Sequence, residues 1–232
     1  MYLPPGYPAA RSFRAGLYER ELTGLLRATL VDGMTFVDLG ANVGYYTLFA
    51  SGIAGNSGNV YAFEPDPTNY AYLQRSIQAN GCRNVVAVRK AISNKSGTMN
   101  FVPDPNRAEG FLIEGSGDGR SIPVQTLTLD DFFRDQGWPS VQLIKMDIEG
   151  SEQQALMGMT ELRRRNPALQ LIMEFNPGAL RRSGATKETL TAVLRELDYH
   201  RGYVIETGLK PITLAQGLPG GRTTYNLLLK PG

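Results

Sequence analysis

Short apolar runs alternate with longer amphipathic stretches through most of the chain. Residues 34–39, 60–63, 85–89, 141–146 and 169–175 read as strands buried on both faces. Residues 45–51, 68–80, 151–164 and 186–197 carry helical spacing. Thr186 stands at an N-cap position, with Thr189 where a capping box would place Glu. The opening strand–helix–strand–helix–strand order predicts a parallel sheet covered by helices. Residues 203–206 and 223–229 are the last predicted strands, and the final one runs antiparallel. The expectation is an α/β, Rossmann-like, mostly parallel seven-stranded sheet with helices on both faces and an antiparallel C-terminal strand.

Ahead of this alternation, residues 9–31 place Phe13, Leu17, Leu22, Leu25, Leu26 and Leu30 on one helical stripe that stops at Asp32-Gly33. We read 1–33 as an N-terminal helical extension or lid and 34–232 as the main domain. Residues 93–119 are rich in Gly, Asn, Asp, Ser and Pro, and read as loops with short strands such as 98–102 near the top of the sheet. Residues 124–129 look extended, and a short helix follows over 129–135.

Composition narrows the class only slightly. A chain of 232 residues, 42% hydrophobic and 20% charged, suits one globular α/β domain. No apolar run approaches the roughly 20 residues of a membrane span. The first residues lack a basic stretch followed by an apolar one, and the single cysteine, Cys82, forms no internal disulfide, so a cytoplasmic location is expected. A net charge of +2 gives no reason to expect a nucleic-acid partner. Arg163, Arg164 and Arg165 read as a solvated helix C-terminus, with an RNA- or anion-facing patch as the alternative.

The strongest chemical signal is Asp38-Leu39-Gly40-Ala41-Asn42-Val43-Gly44, a strand, a tight turn and a helix start. Gly40 and Gly44 permit a sharp turn and close ligand approach. A dinucleotide fold would instead offer bare backbone N–H groups to pyrophosphate at this point. The acid at Asp38 suits a cationic amino-acid end. Glu64 follows at the tip of the next strand, 20 residues after Gly44, where a carboxylate can accept from both ribose hydroxyls. The pair predicts a phosphate-free adenosyl nucleoside, S-adenosyl-L-methionine.

The blocks FVDLGANVGYYTL (36–48), EPDPTNYAYLQRSIQAN (64–80), KAISNKSG (90–97), LTLDDFF (127–133), LIKMDIEGSEQQAL (143–156) and LIMEFNP (171–177) resemble the FkbM-type methyltransferases. The resemblance implies a class I methyltransferase fold, S-adenosyl-L-methionine as donor with S-adenosyl-L-homocysteine as product, and O-methylation of sugar or natural-product hydroxyls. It also implies that Asp38, Gly40, Ala41, Asn42 and Gly44 surround the methionine end. By the same resemblance Glu64 holds the ribose, Pro65 and Asp66 shape the adenine side, and Ala91, Ile92 and Ser93 lie along the adenine ring.

A hydroxyl is a weak nucleophile near neutral pH, so a base or a metal helps. Strand alternation places Lys145, Asp147 and Glu149 on one side if the chain stays extended. Asp147 is the preferred residue at the transfer centre, with contact to cofactor or acceptor; Glu149 or Lys145 serves as base, or the two form a structural ion pair. Glu152 reads as a first-turn acid favoured by the helix dipole. Glu174 closes the 169–175 strand and completes the candidate catalytic set. Asp147, Glu174 and Asn176 offer three oxygens to Mg²⁺, but no metal site is assigned. His200 reads as a turn residue. Tyr45, Tyr46 and the loop around Phe111 offer a sugar aromatic surfaces, or pack the core. An amine or RNA acceptor, and a catalytically inactive cofactor-binding scaffold, are the alternatives. The acceptor's identity and the oligomeric state are not readable from the sequence.

Overall fold

The computed structural model describes residues 1–104, 109–113, 115, 119–219 and 224–232. Its main sheet has eight strands in the order β11-β10-β12-β9-β8-β1-β2-β3. The central strands are β1 (Thr35–Leu39), β2 (Asn59–Phe63), β3 (Val85–Val88), β8 (Leu143–Met146) and β9 (Gln170–Phe175). They pair in parallel. β12 (Tyr225–Pro231) inserts antiparallel between β9 and β10 (Tyr199–Val204). The predicted antiparallel C-terminal strand is therefore present, although its expected start at Thr223 lies outside the described residues. Seven strands were expected. The eighth, β11 (Lys210–Thr213), is short, mostly exposed and interrupted by Pro211, the composition of an edge strand rather than a core one.

Alternation along the strands splits the core. Val37, Leu39, Ile144 and Met146 face one side. That side is covered by α5 (Leu129–Asp135), α6 (Glu152–Met157), α7 (Thr160–Arg165), α8 (Pro177–Arg182) and α9 (Lys187–Glu196). Phe36, Val60, Leu143 and Ile172 face the other, packed by α2 (Arg20–Thr29) and α3 (Tyr45–Ala54), while α4 (Pro67–Ala79) sets Leu73 against Ala62. Every residue of β1 is buried, as expected for a strand covered on both faces. Among the described residues no helix is long and apolar enough to cross a membrane.

Three expectations change. The 9–31 helix is two helices, α1 (Ala10–Ala15) and α2, because Gly16 adopts a left-handed backbone that ends α1 and leaves Leu17 exposed. The 151–164 helix also breaks, at Gly158. A Cβ there would lie 2.3 Å from the Ser93 carbonyl, so the backbones approach too closely for a side chain. The 93–119 stretch builds more than loops. β5 (Gly97–Asp104) and β6 (Glu109–Ile113) join β4 (Ala91–Ile92) and β7 (Ile122–Leu127) in a second sheet ordered β4-β7-β5-β6. Positions 105–108, 114 and 116–118 of that stretch lie outside the described residues. Helix α9 begins as read: Thr186 and Thr189 form a reciprocal capping box.

Candidate active site

Strand order reverses between β1 and β8, and crevices in open α/β sheets form at the C-terminal ends of strands flanking such a reversal. A cleft of about 270 Å³ opens there. Gly40, Ala41 and Asn42 line it from the turn after β1, Glu64 and Pro65 from the end of β2, and Asp147 and Glu149 from beyond β8. The turn is tightly built. Gly40 and Ala41 both donate backbone N–H bonds to the Phe63 carbonyl. Gly40 has φ +77°, and a Cβ there would meet the Asp147 carbonyl oxygen at 1.9 Å. Only glycine lets the β1 turn lie against the end of β8.

Glu64 is 5% exposed, at the tip of β2. Asn42 N–H donates to its Oε2 (2.8 Å) and Asp66 N–H to its Oε1 (2.9 Å). Burial pushes its pKa up to about 8, against these two backbone hydrogen bonds. A carboxylate oxygen has two lone pairs, so each keeps one acceptor position after its N–H bond. That suits a vicinal diol such as a ribose edge.

Charged groups crowd the floor. Lys145 is 3% exposed; its ammonium sits 3.1 Å from Asp147 Oδ2 and 5.0 Å above the Tyr46 ring. Burial opposes its charge, but Asp147, Asp38 and Glu19 outweigh burial and hold its pKa above the ordinary value. Lys145 therefore pairs with Asp147, not with Glu149, and it keeps its proton. Glu149 has φ +51° and Gly150 φ +102°, so the chain turns immediately after β8. This turn, rather than continued strand alternation, is what brings Glu149 to the cleft. Glu152 accepts from Ile148 and Gly150 N–H and so braces that turn; burial pushes its pKa up to about 7, against those bonds. Glu174 also lines the cleft. Burial, then the carboxylates of Asp147, Glu149 and Glu152, push it up to about 10.

Asp147, Glu149 and Glu174 offer oxygens within 4.8 Å of one another. The trio differs from the Asp147–Glu174–Asn176 set considered from sequence. Asn176 is the N-cap of α8, and its Oδ1 accepts from Gly178 and Ala179 N–H.

The second sheet and the N-terminal segment form the outer walls. Phe101, Phe111 and Leu112 line one side; Tyr7, Phe13, Tyr18 and Tyr45 line the other. Phe13 stacks on Tyr45 with centroids 4.7 Å apart, and the Tyr7 hydroxyl donates to Asn42 Oδ1 (3.2 Å). Tyr46 donates a short hydrogen bond to Glu19, which also lines the cleft. Glu19 and Tyr7 escaped the sequence reading because no local pattern marks their inward turn.

Of the anticipated contacts, Ala91 and Ile92 reach the cleft wall, whereas Asp38, Gly44, Asp66 and Ser93 stand behind it. Asp38 is buried beneath the turn. It accepts from the Thr47 hydroxyl (2.6 Å), while its buried Oδ1 has no hydrogen-bond partner among the described residues. Burial raises its pKa. Gly44, at φ +96°, packs so closely on Leu73 that a Cβ would lie 2.7 Å from it. Asp66 caps α4, accepting from Thr68 and Asn69 N–H. Ser93 is buried, and its N–H donates to the Leu127 carbonyl. His200 is exposed and pairs with Asp198. The arginine cluster divides. Arg164 and Arg165 pair with Glu161 at the surface, but Arg163 is buried over Tyr199 and bonded to Asp198, so it is not part of a solvated patch.

The family model described as "Methyltransferase FkbM domain" matches residues 38–205. The hexuronic acid methyltransferase AglP of Haloferax volcanii is 31% identical, over 61% of this chain and 56% of that protein. The 31-O-demethyl-FK506 methyltransferase FkbM of Streptomyces tacrolimicus is 28% identical, over 56% of this chain and 60% of that protein. Both matches thus span less than two thirds of the relative's length. The crystal structure of a methyltransferase FkbM from Methylobacillus flagellatus KT shares the fold, with TM-score 0.56 and 20% identity, covering 91% of this chain and 46% of that one. The chain belongs to the FkbM family of S-adenosylmethionine-dependent methyltransferase domains.

Proposed function

We propose that this protein transfers the methyl group of S-adenosyl-L-methionine to a hydroxyl of a sugar, glycan or small natural product. The observation that carries the reading is Glu64: a buried carboxylate on the cleft wall, fixed at both oxygens by N–H groups, with acceptor positions left for a ribose diol. The glycine turn beside it spends its Gly40 and Ala41 N–H groups on the Phe63 carbonyl and its Asn42 N–H on Glu64 rather than offering them to a phosphate. Bound in the cleft, S-adenosyl-L-methionine supplies a methyl group on a sulfonium.

Gly40, Ala41 and Asn42 hold the methionine end, Pro65 the adenine side, and Ala91 and Ile92 the adenine face. Asp38, Gly44, Asp66 and Ser93 act from behind the wall, shaping the turn, aiming Glu64 and fixing the β4 end. Asp147, held by Lys145, orients the acceptor or the sulfonium. Its neighbours Glu149 and Glu174 line the same wall, with carboxyl oxygens within 4.8 Å of one another and of Asp147. Residues 1–33 serve as an extension covering the acceptor side of the 34–232 domain. Phe13, Tyr45 and Phe111 offer aromatic faces against which a sugar ring can pack.

The relatives named for hexuronic acid and for 31-O-demethyl-FK506 favour hydroxyl-bearing acceptors. The burial of Arg163 weakens an RNA reading, because it removes one cation from the densest basic cluster. The test is transfer of tritiated methyl from S-adenosyl-L-methionine to separate pools of hexuronic acids, neutral sugars, phenols, amines and RNA. Alkali-stable label in a hydroxyl pool is expected, since a methyl ester on a hexuronic carboxylate is hydrolysed by alkali and a methyl ether is not. Label confined to amines or RNA overturns the acceptor class, and cofactor binding without transfer to any pool identifies a scaffold.

A further inference from the structure

Glu19 lies outside the family-matched segment, in the turn that opens α2. Its backbone is left-handed, φ 39° and ψ 61°, a conformation that non-glycine residues adopt at a cost. Packing over-determines it. Leu22 and Leu26 of α2 are buried against the sheet, the Thr23 N–H donates to the Glu19 carbonyl (2.8 Å), and the Thr23 hydroxyl donates to the Tyr18 carbonyl (3.0 Å). The turn sends the carboxylate inward, where Tyr46 donates to Oε2.

Glu19 also lines a second cavity of about 220 Å³, with Glu21, Glu206, Tyr225 and Asn226. Glu19 and Glu174 border both spaces. At the far side Glu206 is exposed, its Oε1 held by the backbone and side-chain N–H groups of Asn226. An acidic partition therefore separates the methyl-transfer cleft from a space reaching solvent.

We propose that Glu19 is the catalytic base: it takes the acceptor hydroxyl's proton on the cleft side and releases it to solvent through the second cavity, past Glu206. This rests on the hydroxyl-methylation reading. The acceptor oxygen forms the new C–O bond as the methyl's C–S bond breaks and that electron pair stays on sulfur. The hydroxyl proton passes to the Glu19 carboxylate, and the next carboxylate or water takes it onward.

The neighbouring groups are less suited. Lys145 keeps its proton, and Glu174, pushed up to about 10, holds one at neutral pH. Asp147 is paired with Lys145, and Glu149 stands 3.8 Å from Arg182. Tyr46 is a donor to Glu19, and burial raises its pKa further. Burial raises the Glu19 pKa as well, Lys145 and the Tyr46 hydroxyl oppose the rise, and Asp147 and Glu206 add to it; Tyr18, Glu21 and Glu174 complete its titratable surroundings. A base shifted toward neutrality transfers protons more efficiently near pH 7.

The test compares wild type, Glu19→Gln and Glu19→Asp, with glucuronic acid as acceptor from pH 5.5 to 9.5. S-adenosyl-L-homocysteine affinity and ¹³C-carboxyl glutamate titrations are followed in parallel. In Glu19→Gln, kcat is expected to fall about a hundredfold or more and the acid limb of the pH profile to flatten, with S-adenosyl-L-homocysteine affinity within about threefold. Partial recovery in Glu19→Asp, and loss in Glu19→Gln of one carboxyl signal titrating above the usual glutamate range, complete the expected result. An unchanged rate and pH profile, affinity falling in step with rate, or a Glu19 signal at the ordinary value overturns the assignment. If the wild type leaves glucuronic acid unmethylated, the same comparison is made with the acceptor labelled in the tritium-transfer assay; transfer to no hydroxyl acceptor contradicts the hydroxyl-methylation reading, whereas a Glu19 signal at the ordinary value overturns this assignment by itself.

Discussion

Gly40 carries the tightest steric constraint in the cleft, since any side chain would enter the Asp147 carbonyl. Gly40→Ala also strains a φ of +77°, which alone costs about 1–3 kcal/mol. The variant is expected to melt several degrees lower and to bind S-adenosyl-L-homocysteine at least tenfold more weakly, as read by calorimetry. Wild-type affinity in a folded variant would mean the turn does not seat the cofactor. Glu64 sets a pH dependence. Ribose hydroxyls donate to its carboxylate, so binding must expel the proton it holds below about pH 8. Affinity should therefore rise by up to about tenfold per pH unit toward pH 8 and level off above it. Glu64→Gln should abolish that slope; a slope retained in this variant would assign it to another group. Both residues were legible in the sequence because strand, turn and acid lie within one local pattern. Glu19 was not, since its role depends on a left-handed turn that meets Tyr46 27 residues further along the chain.

The start of α9 was read as it stands, because Thr186 closes it with its own side chain; Asp66, read from sequence only as shaping the adenine side, caps α4 in the same way. Asp66→Ala should cost about 1 kcal/mol, visible as a shifted denaturation midpoint. It should also loosen Glu64, whose Oε1 depends on the Asp66 N–H. A stability loss with no change in cofactor affinity would separate the cap from the site. The second sheet was not assembled from sequence. Its β5–β6 pairing joins segments of a stretch whose Gly, Pro and Asn content looks like loop, and β7, read only as extended, pairs with β5. Arg163 was misread for a similar reason: Tyr199 and Asp198, which bury and pair it, arrive from α9's far end and β10.

At the scale of the whole molecule, the site stores buried acids that resist ionisation. Glu152, Glu64 and Glu174 are pushed up to about 7, 8 and 10, above the ordinary glutamate value of 4.5. The folded state therefore binds more protons than the unfolded chain above that value. Stability contributed by these groups is complete below about pH 4.5 and is lost progressively as pH rises toward their folded pKa values. The melting temperature of cofactor-free protein should fall between pH 5 and 9, and the fall should shrink in Glu174→Gln; a flat profile would mean these carboxyls ionise freely. The α/β architecture was legible because parallel strands buried on both faces leave unbroken apolar runs. The edge strand β11 was not, being exposed and proline-bearing. The central claim is that the crevice between β1 and β8 grips a phosphate-free adenosyl nucleoside through Glu64. Calorimetric titration of S-adenosyl-L-homocysteine and of NAD into wild type and Glu64→Ala tests it most directly. Saturable S-adenosyl-L-homocysteine binding, weakened at least about tenfold by Glu64→Ala, with no NAD heat, is the predicted result; unaltered affinity in the variant, or NAD binding in its place, would contradict it.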